Sequence, residues 1–349
     1  MTTAFRLRSA LSLGAVALAA LVVGCAEAPE PTRPPPVAKI PPVTLSPRLA
    51  EQAAAYRTYM TRAAAISPPF ADGPSIAQSL TAGASYEPKQ LVRGAIAYGA
   101  IVALQDPAFV AGVRAFAADP GQRQTVTYSI LSDPAYAVGF PGSASAAGAI
   151  ITALGDQGRQ VYDQGKRVKQ AAYDIQASSW SKADVPNRDV RLQQAKTVSA
   201  APLLGDAAET ARLQQAAMGG VQPAPLVIPA PASPPYTPLV IRSLAVAALA
   251  ALGQAGDANV DQVTALMVEP NASSCLNLSK LNLYQCLAVS KPHYEDVFCL
   301  GEHVMLDTGR CVMKSSGAVM PIEIKPRVLD VSYRDKAKVK PKAKAKKKG

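Results

Sequence analysis

Both histidines of the chain sit in one polar stretch, His293-Tyr294-Glu295-Asp296 followed by His303 and Asp307. Carboxylates close to an imidazole are the parts of a general acid-base pair. The chemistry this stretch could perform is therefore hydrolysis, with Glu295 or Asp296 as base and His303 as partner. A metal held between His293 and His303 fits less well, because ten residues at 100° each place the two rings about 80° apart around one helix and roughly 15 Å along it. Nowhere does the chain carry a Gly-rich phosphate loop, a Gly-x-Ser-x-Gly elbow or a His-Glu-x-x-His pair. Neither a cofactor nor a metal is expected.

A second polar pattern occurs twice, as Asp156-Gln157-Gly158-Arg159 and Asp307-Thr308-Gly309-Arg310. Each reads as a turn, with aspartate capping local amides, glycine supplying positive φ and arginine pairing with a nearby carboxylate. The alternative use is a repeated ligand site, in which Arg159 and Arg310 grip a carboxylate such as that of a stem peptide.

Four cysteines, Cys275, Cys286, Cys299 and Cys311, fall within 37 residues. Gaps of this length do not supply the closely paired ligands of a structural zinc site, whereas an even set is what a disulfide framework in an oxidising compartment requires. The spacing leaves three pairings open. The sequential one, Cys275 with Cys286 and Cys299 with Cys311, is favoured by the expected turn at Asp307-Thr308-Gly309.

The fifth cysteine belongs to the amino terminus. Arg6 and Arg8 precede the apolar stretch Leu11 to Val23, too short and wrongly flanked for an ordinary membrane span, so residues 1–24 read as an export signal. The stretch ends in Val22-Val23-Gly24-Cys25, which resembles the lipobox of bacterial lipoproteins. That resemblance implies that Cys25 becomes the first residue of the mature chain and carries lipid. In that class a residue other than aspartate after the cysteine, here Ala26, implies the outer membrane, with the body facing the periplasm. Several acyl chains make such an anchor essentially permanent, since each buried methylene adds about 0.8 kcal/mol.

Residues 25–47 form a proline-rich spacer, with eight prolines between Ala26 and Arg48. Polyproline II at about 3.1 Å per residue would carry the body roughly 70 Å from its anchor. A second proline-rich break at 219–235 separates two halves, 48–218 and 236–313. Each half holds the same ordered series: Tyr86/Tyr236, Pro88/Pro238, Arg93/Arg242, Asp106/Asp257, Tyr128/Tyr284, Ser132-x-Pro134/Ser290-x-Pro292, and Asp-x-Gly-Arg. An ordered series of this length points to internal duplication, with a repeat core at 86–161 in the first half.

The elements that must position all these residues are helices. Aromatics make up only 5% of the chain, too few for a β-sandwich, and 49% of residues are hydrophobic, enough for a sizeable core. The expected fold is therefore all-α: two related helical units, the second braced by disulfides. Leu91 to Leu104 and Val240 to Leu252 read as buried helices. A helix is expected from Pro47 to Ile66 with Ser46 as N-cap, and another from about 157 to 180. One more covers 189–218, with a break near Pro202 and Gly205. Ser132 and Ser290 are expected to cap the helices that follow them.

The net charge of +11 is concentrated at the ends. Eight lysines, Lys336, Lys338, Lys340, Lys342, Lys344, Lys346, Lys347 and Lys348, lie in the last fourteen positions. Without them and the two arginines of the signal, the body is within about one charge of neutrality. Beyond an extended segment at 314–335, residues 336–349 read as a disordered cationic arm that seeks polyanions by counterion release. For an exported chain the expected partners are lipopolysaccharide phosphates and peptidoglycan carboxylates, and nucleic acid is not expected. The arm also resembles the lysine-bearing ends of wall-linked lipoproteins, but here the last residue is Gly349. The composite expectation is a lipid-anchored, non-catalytic envelope protein; a cell-wall hydrolase or a small-ligand binding module are the alternatives.

Overall fold

Four helices of the computed structural model begin in the same way. An acidic N-cap precedes proline as the first helical residue at Glu87-Pro88, Asp106-Pro107, Asp119-Pro120 and Glu269-Pro270. The carboxylate accepts hydrogen bonds from the first free amides and faces the positive end of the helix dipole, while proline has no amide to satisfy and is preset for the helical turn. This repeated signal cuts an alanine-rich chain into helices of defined length. Replacing the buried Glu269 by alanine removes the acceptor for the Asn271 and Ala272 amides. The expected loss is about 1–2 kcal/mol of stability, read from a urea unfolding midpoint.

Residues 40–218 and 231–322 are described; Cys25 with its signal segment, most of the spacer, residues 219–230 and the lysine arm lie outside them. Among the described residues the fold is all-α, as the composition predicts. The helices are α1 (Pro47–Ala65), α2 (Gly73–Ala84), α3 (Pro88–Ala103), α4 (Pro107–Arg114), α5 (Pro120–Ser132), α6 (Ser143–Asp174) and α7 (Arg188–Ala200). They continue as α8 (Ala207–Ala217), α9 (Pro238–Ala251), α10 (Val260–Leu266), α11 (Pro270–Val289), α12 (His293–Cys299) and α13 (Asp307–Ser316). A π-helical stretch, Leu300–Leu306, joins α12 to α13 without a turn.

Several expectations hold closely. Ser46 caps α1 by accepting from the Arg48 amide, and the chain breaks between α7 and α8 around Pro202 and Gly205. α3 and α9 are buried nearly all round. Others need correction. Ser132 is the last residue of α5, and Asp133 caps the short 3-10 turn Pro134–Gly139 by accepting from the Ala135 amide at 2.9 Å. Ser290 ends α11, and its hydroxyl bonds Asp296 instead. The helix expected from 157 to 180 is the 32-residue α6, which starts fourteen residues earlier. The segment expected to be extended from residue 314 is helical to Ser316, where Gly317 closes α13 at φ 78°.

The two halves pack against each other and share one core. α3 packs against α9, and α6 packs against the π-helical stretch and α13, so corresponding helices meet each other. The proline segments are fastened to this core at their described ends. Thr44 donates to Ala250 O at 3.0 Å, Ser46 to Ala255 O at 2.8 Å, and Arg114 donates to Pro41 O at 3.0 Å. At the second break, Ala232 donates to Ala144 O at 3.0 Å.

Candidate functional site

The two Asp-x-Gly-Arg motifs are not turns. Gly158 lies within α6 and Gly309 within α13, and the two helices cross at these glycines. A Cβ on Gly309 would lie 2.7 Å from Gly158 O and 2.8 Å from Tyr162 N, and one on Gly158 would lie 3.0 Å from Gly309 O. The repeated glycine therefore serves close helix approach, and the two copies face each other as at a local twofold axis. Arg159 donates to Val319 O at 3.0 Å, while Arg310 reaches Asp307 at 3.1 Å and Glu302 at 3.4 Å. The two arginines thus brace the carboxyl-terminal end of the body and the α13 start.

Both disulfides form, in a pairing the expected turn did not give: Cys275 with Cys311 and Cys286 with Cys299, each with Cα atoms 5.7 Å apart. Cys275 and Cys286 stand on the same straight helix, α11, where eleven residues place them about 16 Å apart, beyond any disulfide. The run from α12 to α13 is likewise helical, so Cys299 and Cys311 are held apart too. It returns along α11, and the nested pairing follows from that antiparallel packing.

Glu295, Asp296 and His303 do not converge. The Glu295 carboxylate accepts from the Lys291 amide at 2.8 Å. Asp296 is 2% exposed and bonds the Arg191 guanidinium and Ser290 Oγ, the latter at 2.9 Å. Burial pushes its carboxyl above the ordinary value, with Arg191 and Ser290 acting against that rise. His303 Nδ1 lies 3.1 Å from Asp307 Oδ2, one helical turn away. Burial alone would raise Asp307, but hydrogen bonds from His303 and Asn282 and the charges of His303 and Arg310 outweigh it and hold the carboxyl below its usual range. His293 points elsewhere, its ring lying 6.3 Å from that of Trp180 and against Gly73. Among the described residues no group of three or more histidine, cysteine or carboxylate side chains is placed to hold a metal.

The densest buried polar cluster was not among the expected sites. Lys280, 5% exposed, bonds Ala84 O and Ser199 Oγ, the latter at 3.0 Å, with its ammonium nitrogen 3.5 Å from the Tyr86 ring centroid. Tyr86 bonds Thr308 at 3.0 Å, and its ring lies 4.7 Å from that of Tyr59. Burial drives the Lys280 amine well below its ordinary value, against a weaker opposing pull from Glu87. Burial likewise pushes the Tyr86 phenol up to about 12. The signal in the sequence was a lysine at a stripe position, with Leu276, Lys280, Leu283 and Leu287 recurring at three- and four-residue steps.

This cluster sets a pH dependence. In the unfolded chain Lys280 holds its proton up to about pH 10.5, whereas in the folded chain it releases it at lower pH. Folding therefore becomes more favourable as pH rises through that window, and the gain is complete above it. The buried tyrosines act oppositely above about pH 10, where the unfolded chain ionises first. Lys280→Met leaves Ala84 O and Ser199 Oγ bonded to each other at 2.9 Å. It is expected to raise neutral-pH stability and to flatten the rise of stability with pH below about 10.5, measured by denaturant unfolding across pH.

No protein-family model matches the chain, and neither a curated protein nor a solved structure matches it.

Proposed function

We propose that this chain is a lipid-anchored outer-membrane protein whose helical body stands in the periplasm and whose lysine arm holds an anionic envelope polymer, peptidoglycan or lipopolysaccharide. The observation that carries this reading is where the chain joins its body. The spacer arrives at the carboxyl end of α9, where Pro41 packs against Gly253 and Thr44 bonds Ala250. The chain leaves at the opposite end of α9, where Gly317 lies against Thr237. The fourteen residues of α9 separate these points by about 21 Å. The two attachment points thus lie at opposite ends of a buried core helix, which supports a body able to bear a pull between anchor and arm. Two disulfides, which persist in oxidising compartments, support export. The lipobox at Cys25 supports the anchor, and the run of lysines supports a polyanion as partner.

The engagement of Glu295 and Asp296 in structural bonds supports a role that needs no catalysis. Metabolic labelling with a radioactive fatty acid tests the anchor: label is expected on the wild-type chain and lost in Cys25→Ser. Cells carrying Glu295→Gln, which keeps an acceptor for the Lys291 amide, should keep their envelope phenotype, and cells lacking residues 336–349 should lose it. The reverse pattern would replace the tether by a hydrolase.

A further inference from the structure

Apart from the tether, the body carries a cavity of about 410 Å³ between α2 and α7, closed below by α11 and α12. Its volume lies within the range of small-molecule sites, and its wall is mainly apolar, with Ala77, Leu80, Val190 and Leu287 contributing. Val190 is 65% exposed at its rim, an apolar side chain with little of its surface covered. The charges in the wall cancel, since Arg191 is paired with Asp296. The neighbouring Gln194 and Thr81 bond each other at 3.3 Å. The Arg191 guanidinium, only 9% exposed, also donates to Leu287 O, so it is held within the wall and does not reach into the space.

We infer that this cavity binds a small, uncharged, mainly apolar molecule, held by contact with Ala77, Leu80, Val190 and Leu287. A charged ligand is disfavoured because each charge in the wall already has its counter-charge, and burying another without a partner is costly. The site has its own reporter. His293 lines the cavity and lies 6.3 Å from Trp180, the single tryptophan of the chain.

The test uses prodan, an uncharged naphthalene with one ketone oxygen, titrated into the full chain carrying Cys25→Ser, which removes the lipid without touching the body. Saturable binding with quenching of Trp180 emission is expected. Ala77→Phe and Val190→Phe alter exposed wall positions and should leave the thermal melt in place. Each should weaken prodan binding at least about tenfold. An anionic relative, 1-anilinonaphthalene-8-sulfonate, should bind more weakly than prodan by a similar factor. Absence of saturable binding, equal affinity in both phenylalanine variants, or tighter binding of the sulfonate would each overturn the assignment.

Discussion

Replacing Cys275 and Cys311 together by alanine is expected to lower the unfolding free energy by about 4 kcal/mol, and replacing Cys286 with Cys299 by about 3 kcal/mol. The difference follows from loop length. The first bond closes a separation of 36 residues and the second one of 13, and the chain entropy removed from the unfolded state grows with the logarithm of that length. Both bonds staple α11 to the returning run of α12 and α13, so the losses fall on the same elements and need not add. Guanidinium unfolding of the two double variants measures the effect. Peptide mapping without reduction should join the Cys275 peptide to that of Cys311. A map joining Cys275 to Cys286 would contradict the antiparallel packing itself.

Gly309→Val should cost about 3 kcal/mol, at the upper end of overpacking penalties. Its Cβ would meet backbone atoms, Gly158 O at 2.7 Å and Tyr162 N at 2.8 Å, and backbone cannot swing aside as a flexible side chain does. The helices must separate, which opens the contact between the duplicated halves where the two copies of the motif meet. Gly309→Ala should cost less, because alanine's better helix propensity returns up to about 1 kcal/mol. A thermal melt of both variants separates this account from the turn reading: a turn glycine with positive φ would make alanine and valine comparably harmful.

The helices legible in the sequence were those with local signals. α1 has serine before proline, α3 and α9 are apolar runs of the right length, and the break at Pro202 needs no partner to be seen. α5 was missed because only Val126 and Ile130 are buried along it, too few to make a stripe. α2 begins with the capping box of Asp72 and Ser75 but is short and bears no long apolar pattern. The Asp-x-Gly-Arg motifs misled because glycine serves turns and close helix contacts alike, and the contact lies about 150 residues away in the chain. The disulfide pairing and the Arg191–Asp296 bond are hidden for the same reason, since both depend on which helices pack together. The cavity that Arg191 lines exists only after four helices have packed.

The tether account, with peptidoglycan as the anionic polymer that the lysine arm holds, is tested most directly by partitioning the full chain between outer membrane and purified sacculi. The account predicts retention on sacculi at low salt, release as salt rises, and loss of retention when residues 336–349 are deleted, because eight lysines bind through counterion release. Failure to reach the sacculi at any salt concentration, or retention through boiling in detergent, would contradict it.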